Sequence, residues 1–299
     1  MKAITKTKAI VYIMIAASLW GMISIFNRIL TSSGYGQLEI VFIRAFAALV
    51  GTFVFALFTD KNIFKVKLRD VWCFVGTGII SLVLFNICYF NAMQENISVA
   101  AVLLYTAPAF VIIFSAILFK EKITIKKLMS LVLMLVGCCY VTGIVSGASV
   151  SISTRCLFFG IASGIGYALY SIFGRYAINR GYSSETITLY TFVLATIGCL
   201  PIVNIADIAM RFDAFDIVGV LGIGILCSLL PYLLYTKGLA GVNNGQASVI
   251  ATVEPVVATI ISIAFGDSFG WNSALGMVLV IGSIIIINLN ETKISNRRQ

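Results

Sequence analysis

Blocks of mostly apolar, uncharged residues recur along the whole 299-residue chain and constrain its fold more than any other feature. Each block holds about 20 residues, which as a helix rising 1.5 Å per residue crosses a hydrocarbon core of about 30 Å. Apolar residues make up 60% of the chain and charged residues 11%, whereas a soluble fold needs more charge to cover its outside. The blocks predict an all-α polytopic membrane protein.

The apolar runs between charges and turn residues predict ten transmembrane helices. Their connections are short, so we expect successive helices to be antiparallel neighbours. The first run follows Lys2, Lys6 and Lys8, as in a signal peptide, but further spans follow it, so we interpret it as an uncleaved signal-anchor. The predicted helices 1 to 10 cover residues 9–29, 37–58, 71–93, 97–118, 127–146, 156–177, 185–206, 215–236, 245–266 and 271–290.

The distribution of basic residues predicts the orientation of these helices. With the N-terminus in the cytoplasm, 17 of the 21 Lys and Arg residues fall on the inner side, and only Arg28, Arg155 and Arg211 fall outside. Cytoplasmic loops are enriched in Lys and Arg, so both termini are predicted to be cytoplasmic in an integral protein of the cytoplasmic membrane. The net charge of +9 then reflects topology, and a nucleic-acid partner is not expected.

An internal repeat divides the chain. The segment Ser24–Arg28 (SIFNR) recurs as Ser171–Arg175 (SIFGR), at an offset of 147 residues. Five predicted helices fall in each half, residues 1–150 and 151–299, so the halves form inverted-topology repeats with no soluble domain. This architecture is characteristic of secondary transporters, with the solute at the repeat interface, although some channels and membrane enzymes are also duplicated. The same offset maps Gly34-Tyr35 onto Gly181-Tyr182, Ala100 onto Ala247 and Pro108 onto Pro255.

Short motifs in matching order make the chain similar to a known family. They are Ala17-Ser18-Leu19-Trp20-Gly21, Arg44, Pro108 followed by Phe119-Lys120-Glu121-Lys122-Ile123-Thr124, Glu254-Pro255 and Phe265-Gly266-Asp267. Together they resemble the drug/metabolite transporter superfamily, in particular its EamA branch, over essentially the whole chain. The chain departs from the pattern before helix 10, where Asp267 replaces the usual Glu and the loop is shorter. The resemblance implies a metabolite or drug carrier, commonly an exporter, with a central cavity lined by helices 1, 3, 4, 6, 8 and 9.

Enzyme and cofactor signatures are missing from the sequence. The chain has no histidine and no P-loop glycine pattern, and its seven cysteines lie in apolar blocks without a Cys-x-x-Cys pair. We therefore expect no enzyme activity, no cofactor and no metal, and we assign the cysteines to packing.

Polar and aromatic residues inside the predicted spans are the candidates for solute binding. Trp20 and Asn27 share a face of helix 1, and Tyr167 lies on the equivalent face of helix 6. Tyrosine and amide side chains suit a pocket for a moderately polar or aromatic solute, but they also serve as interface anchors and interhelical hydrogen bonds. Close packing is favoured for Gly160 and Gly164. The candidate binding residues are Trp20, Asn27, Asn86, Tyr89, Asn91, Tyr105, Tyr167, Tyr170, Tyr232 and Tyr235.

Two charged residues, Arg44 and Glu254, lie within predicted spans and away from their ends. Glu254 is near the middle of helix 9, where an isolated charge is costly, and Arg44 lies in helix 2. One interpretation makes Glu254 a site for proton coupling or for a cationic group of the solute. The other makes it a neutral or paired carboxylate that holds helix 9 to Arg44 or to Lys237. A structural role is favoured for Arg44 over ligand binding.

The four prolines all fall inside predicted spans, where each should kink its helix. Pro108 and Pro255 occupy equivalent positions in the repeat, which makes them candidate hinges of alternating access. The alternative is that each produces a static kink that shapes the bundle.

The sequence thus favours a secondary transporter, in particular an exporter, for a small organic metabolite, amino acid or drug-like solute. The proton is the candidate coupling ion, and the lipid bilayer is the environment. The alternatives are a facilitator or uniporter of the same fold and a non-transporting membrane enzyme or assembly partner. Solute identity and oligomeric state are left open.

Overall fold

The computed structural model describes residues 4–59, 61–145, 153–265 and 270–289, which are helical and contain no strand. Asp267, the C-terminal basic residues and the boundary between the two proposed halves lie outside these ranges. The long helical rods of the described ranges are α1 (Lys6–Ser32), α2 (Gln37–Thr59), α3 (Leu68–Glu95), α4 (Ile97–Phe119), α5 (Ile125–Val141), α6 (Thr154–Asn179), α7 (Ser184–Cys199), α8 (Asp216–Leu239), α9 (Asn244–Ala264) and α10 (Trp271–Asn288).

Eight of these rods are long and apolar enough to cross a membrane. The two shorter ones are α5, with 17 residues, and α7, with 16. Both pack within the bundle: α5 lies along α10, and α7 lies against α2 and the middle of α3. The described residues therefore form a polytopic helical bundle.

Helix α7 ends earlier than predicted. It stops at Cys199 rather than at residue 206, and Pro201 lies in the turn that follows. A separate short helix, Ile205–Arg211, then leads towards α8. The prediction that Pro201 kinks a transmembrane helix is therefore wrong: proline cannot continue the hydrogen-bond ladder, and here it falls beyond the end of the helix.

Helices α4 and α9 are interrupted at equivalent places. The first is split between Leu104 and Ala107, and the second between Ile250 and Val253. In each helix a proline lies in the first turn after the break: Pro108 in α4 and Pro255 in α9. In the first turn of a helix the backbone amide has no carbonyl partner within the helix. Proline, which lacks this amide hydrogen, therefore costs no helical hydrogen bond there. A third break, at Met22 in α1, has no proline beside it.

Helices α3 and α8 each contain a π-helical segment, Gly76–Leu84 and Gly222–Leu229. The first glycine of each segment receives a phenylalanine from another helix. The ring of Phe173 covers Gly76 and the ring of Phe26 covers Gly222, each so closely that a Cβ on the glycine would collide with it. Phe26 and Phe173 are equivalent residues of the SIF repeat, so one contact is made twice, reciprocally, across the bundle.

Glycines also bring α6 close to α4. A Cβ on Gly160 would lie 2.4 Å from Leu103 Cδ1, and one on Gly164 would lie 2.8 Å from the carbonyl oxygen of Leu103. The predicted packing role of both glycines is confirmed, since small residues let two helix backbones approach.

A central cavity as the candidate functional site

A cavity of about 290 Å³ is lined by residues from both the first and the second half of the chain. Its walls come from the C-terminal parts of α1 and α3, the N-terminal part of α2 and the middle of α4, α6, α8 and α9. Because successive rods are antiparallel, these segments place the cavity towards the end where α1 joins α2, here called the α1–α2 end. The opposite end, where α4 joins α5, is called the α4–α5 end.

The cavity brings together most of the residues predicted from the sequence to bind the solute, together with Arg44 and Glu254. They come from seven different helices, and they place rings, amides and the charges of Arg44 and Glu254 on one surface. The nominated residues that line it are Trp20, Asn27, Arg44, Asn86, Tyr89, Tyr105, Tyr167, Tyr232 and Glu254.

An aromatic cluster forms the floor of the cavity. The Trp20 ring lies edge-on to Tyr232 at 5.5 Å between centroids, and tilted to Tyr235 at 5.4 Å. Tyr170 packs edge-on against Tyr232 at 5.0 Å. Tyr170 shares a 2.8 Å hydrogen bond with Thr236, and Tyr235 shares a 2.7 Å hydrogen bond with Ser171. Tyr170 and Tyr235 therefore lie beneath the cavity and support Trp20 and Tyr232 rather than lining it.

Asn91 lies outside the cavity. Its side-chain oxygen accepts a 3.2 Å hydrogen bond from Arg155, and its amide group donates to the carbonyl of Ile87. Its observed contacts tie α3 to the start of α6.

Glu254 enters the cavity from the first turn after the break in α9. Tyr167 donates a hydrogen bond to its Oε2 across 3.3 Å. Among the described residues, no basic nitrogen lies within the 4.0 Å of an ion pair. Lys237, one of the expected partners, is instead 2.8 Å from Glu185. The pairing of Glu254 with Lys237 or Arg44 is therefore absent, and the carboxylate has a hydroxyl as its protein partner.

Arg44 faces the same cavity from α2. The residue is 8% exposed, and its Nε is buried without a hydrogen-bond partner. The hydroxyl of Tyr232 faces its guanidinium, but within the described ranges no carboxylate approaches within 4.0 Å. A buried polar group without a partner is costly, and this Nε has almost no surface that a ligand could reach.

Several lining residues were missed by the sequence reasoning. Phe85, Phe90 and Met93 have apolar side chains that look like ordinary packing residues, and Gln37 begins α2 next to a loop. The spacing of Phe85 and Tyr89, four residues apart on α3, is the one pattern that could have found part of this wall. Their rings stack at 6.1 Å between centroids.

A polar cluster at the α4–α5 end is centred on Asn244, which is fully buried. Arg175 donates to the Asn244 side chain across 2.7 Å and also to the Val242 carbonyl. Glu121 accepts from the Asn244 backbone amide at 2.9 Å and from Lys127 at 3.1 Å. These residues, together with Ser115, which accepts from the Asn244 side chain at 3.0 Å, are called the Asn244 cluster. Its members come from both halves of the chain.

The sequence counted Arg175 and Lys127 only as topology charges and Glu121 as part of a motif. Asn244 bonds Arg175 and Glu121, which are 69 and 123 positions away, and Lys127 joins the cluster through Glu121. No local pattern reveals contacts over such separations. Within the described part of the chain, no group of three or more His, Cys, Asp or Glu side chains could hold a metal ion.

The described residues thus form a polytopic helical bundle with a central cavity. The chain belongs to the EamA-like transporter family, which it matches over residues 7–143 and 154–289, within the drug/metabolite transporter superfamily. The family resemblance inferred from the sequence motifs is confirmed. Membership points to a transporter rather than an enzyme, with a small-molecule solute and a lipid bilayer as its environment.

Relatives match over nearly their whole length. An uncharacterized transporter of Archaeoglobus fulgidus is 27% identical over 92% of this chain and 94% of its own. The uncharacterized inner membrane transporter YicL of Salmonella typhimurium is 22% identical over 96% of this chain and 97% of its own. One solved structure, described only as the crystal structure of a protein, has a TM-score of 0.77 and 16% identity, covering 95% of this chain and 97% of that one. This last likeness concerns the fold alone.

Proposed function

We propose that the protein is a ten-helix secondary transporter of the cytoplasmic membrane that exports a small organic solute by alternating access. In this proposal α5 and α7 join the eight longer helices as membrane spans, and both termini are cytoplasmic. The family match supports transport, and the name of the Salmonella typhimurium relative places that protein in an inner membrane. The distribution of Lys and Arg supports the orientation.

Alternating access requires two nearly equivalent arrangements of one repeat. The reciprocal Phe26–Gly222 and Phe173–Gly76 contacts support an inverted duplication, because each half offers the other the same packing site. The equivalent breaks of α4 and α9 extend this correspondence to the helices that carry Pro108 and Pro255. In the proposal these breaks act as hinges.

In a transporter that works by alternating access, the binding cavity is open to only one side of the membrane at a time. The two ends of this bundle differ accordingly. The cavity lies towards the α1–α2 end, which the charge distribution places outside. The Asn244 cluster closes the α4–α5 end, which the same distribution places in the cytoplasm. We assign this arrangement to the outward-facing state. Opening to the cytoplasm would then require the hydrogen bonds of the Asn244 cluster to break.

The observation that carries the functional proposal is the Glu254 carboxylate in a cavity lined by both halves of the chain, with no basic nitrogen within 4.0 Å among the described residues. A carboxylate in such a place can be neutralised by a proton in one step and by a cationic group of the solute in another. Proton and solute would then compete for one site, which couples their opposite movements when access alternates.

Proton coupling can be tested in proteoliposomes with an imposed pH gradient. The probes are radiolabelled L-leucine, L-lysine, L-glutamate and tetraphenylphosphonium, each assayed alone. We expect the pH gradient to drive transport of at least one probe, and Glu254→Gln to abolish that drive while exchange of the same probe persists. Glu185→Gln is the matched control, because Glu185 is occupied by Lys237 away from the cavity.

Three results would overturn parts of the proposal. Transport of no probe by the wild-type protein contradicts transport of these solute classes. If well-folded Glu254→Gln protein shows pH-driven transport at the wild-type rate, Glu254 has no coupling role. If the wild-type protein exchanges a probe but the pH gradient does not drive its transport, the protein is a facilitator.

A further inference from the structure

A second cavity, of about 470 Å³, lies at the α4–α5 end of the bundle. Its described lining includes four lysines and one glutamate, so positive charge predominates. Lys6 comes from the start of α1, Glu121 and Lys122 from the connection between α4 and α5, and Lys126 and Lys127 from the first turn of α5. This cavity is called the lysine pocket.

Two of these lysines have no counter-charge. Within the described ranges, neither Lys6 nor Lys122 lies within 4.0 Å of a carboxylate oxygen, and both residues are exposed. Glu121 does not neutralise them, because Lys127 already pairs with it at 3.1 Å. The pocket therefore presents uncompensated positive charge from two separate parts of the chain to whatever enters it.

The neutral polar groups of the pocket suit the same kind of ligand. The side-chain oxygens of Thr124 and Asn243 accept hydrogen bonds from the backbone amides of Lys127 and Gln246, which leaves the Thr124 hydroxyl hydrogen and the Asn243 amide group as donors. Lysine ammonium groups are donors only, and they bind phosphate as point charges. The pocket is thus suited to a phosphate group.

The surroundings of the pocket indicate a lipid as the source of this phosphate. Leu289, near the end of α10, belongs to the lining and is exposed, as is Ile285 one turn before it. Ile125 and Met129 are exposed in the first turns of α5. Exposed apolar residues of a membrane-spanning helix face acyl chains, and basic pockets between such helices bind phospholipid headgroups.

We infer that the lysine pocket binds the phosphate group of an anionic phospholipid, whose acyl chains lie along the exposed apolar residues of α5 and α10. The pocket shares Glu121 and Lys127 with the Asn244 cluster, so the headgroup lies beside the residues assigned to closing the α4–α5 end. The inference concerns binding alone and needs neither a particular solute nor a direction of transport.

Lipid binding to the wild-type protein tests the charge and the source of the ligand. Native mass spectrometry of the detergent-purified protein measures the affinity for dioleoyl phosphatidylglycerol and for dioleoyl phosphatidylcholine, which has the same chains and phosphate but a choline that cancels the charge. We expect phosphatidylglycerol to bind about tenfold or more tightly, since one charge-assisted contact contributes about a factor of ten. Inorganic phosphate at equal concentration should not displace it.

Two double variants locate the site. Lys6→Gln with Lys122→Gln should weaken phosphatidylglycerol about tenfold or more and leave phosphatidylcholine unchanged. Lys65→Gln with Lys67→Gln is the matched control, because it removes the same charge at the same end of the bundle from residues that line a different cavity. The control should bind both lipids as the wild type does.

Equal affinity of the wild-type protein for the two lipids would overturn the inference. Displacement of phosphatidylglycerol by an equal concentration of inorganic phosphate would assign the pocket to a free anion and overturn the lipid. Unchanged binding by the Lys6 and Lys122 variant, or an equal loss in both double variants, would contradict the location.

A crosslinking measurement tests the location without any substitution. Phosphatidylglycerol with a photoreactive acyl chain, crosslinked to the wild-type protein and mapped by peptide mass spectrometry, should label α5 or α10. Labelling confined to other helices would overturn the inference even if the Lys6 and Lys122 variant did not fold. None of these outcomes bears on the proposed transport, which the flux assays test separately.

Discussion

Tyr167 of α6 donates a hydrogen bond to Oε2 of Glu254 on α9, across 3.3 Å. The contact joins two helices of the second half at the cavity surface. Among the described residues, no basic side chain forms an ion pair with Glu254. The Tyr167 hydroxyl is therefore the protein group best placed to orient the carboxylate towards a solute or a proton.

Tyr167→Phe should lower the transport rate about threefold to tenfold while the thermal stability in detergent stays close to that of the wild type. The ring and its packing against Phe85, at 5.6 Å between centroids, remain, and only one hydrogen bond to a charged group is lost. Tyr190→Phe is the control, because Tyr190 bonds the Phe64 carbonyl at the α4–α5 end. Equal transport by wild type and Tyr167→Phe would show that the hydroxyl does not position Glu254.

Glu121→Gln should favour opening at the α4–α5 end. The substitution removes the ion pair between Glu121 and Lys127. It also weakens the hydrogen bond that the backbone amide of Asn244 donates to the Glu121 side chain. A cysteine replacing Val111, which is 1% exposed, reports the opening by its rate of labelling with a maleimide on a background without native cysteines. We expect the rate to rise about tenfold, the effect of roughly 1.4 kcal/mol on the equilibrium between states.

The matched control for this experiment is Glu185→Gln. The ion pair of Glu185 with Lys237 lies at the same end, but it joins α7 to α8 within one half. Its loss should leave the labelling rate unchanged. A rise of equal size in both variants would mean that labelling reports general loosening, and no rise in Glu121→Gln would remove the Asn244 cluster from the proposed gate.

Gly160→Ala should destabilise the bundle. The added Cβ would lie 2.4 Å from Leu103 Cδ1 and 2.8 Å from Leu103 Cβ, and overpacking of this kind costs about 1–3 kcal/mol. Gly174→Ala on the same helix is the control, since its Cβ would lie 3.6 Å from Leu239 Cδ2, an ordinary contact. Thermal unfolding followed by size-exclusion chromatography should show a lower midpoint for the first variant alone. A lowering of equal size in both would locate the effect in α6 itself rather than in its contact with α4.

Much of this bundle could be predicted because the bilayer imposes a simple rule on each span. A helix in lipid needs about 20 apolar residues, so the approximate position of each rod can be read from the chain. The end of α7 could not be read in this way, because the residues after Cys199 remain apolar through Val203 although the helix has already ended. Hydrophobicity predicts insertion, whereas the hydrogen-bond ladder decides where a helix ends.

Most residues of the site could be predicted from the sequence, but the contacts between them could not. Trp20, Tyr167 and Glu254 attract notice because polar groups within lipid need a reason to be there. The absence of an ion pair between Glu254 and Arg44 depends on how α2 and α9 are placed, which no local pattern encodes. The apolar wall around Phe85 was missed for the opposite reason, since a lining phenylalanine and a packing phenylalanine look the same in a sequence.

Orientation is tested by two single cysteines on a background without native cysteines. Gln94→Cys lies at the exposed end of α3, and Lys65→Cys lies in the exposed connection between α2 and α3. A membrane-impermeant maleimide added to intact cells should label the cysteine at position 94, and the one at position 65 only after the cells are permeabilised. The reverse pattern would invert the topology and turn the outward-facing assignment into an inward-facing one.

The central claim is that the solute crosses the membrane through the cavity above Trp20, and counterflow through Trp20→Ala protein tests it most directly. The Trp20 ring contacts Tyr232 and Tyr235 and forms the cavity floor, so its removal should abolish exchange of every solute that the wild type accepts. Tyr190→Phe again serves as the control, and size-exclusion chromatography checks that Trp20→Ala protein is folded. The account predicts exchange by wild type and control and none by folded Trp20→Ala; undiminished exchange by folded Trp20→Ala would contradict it.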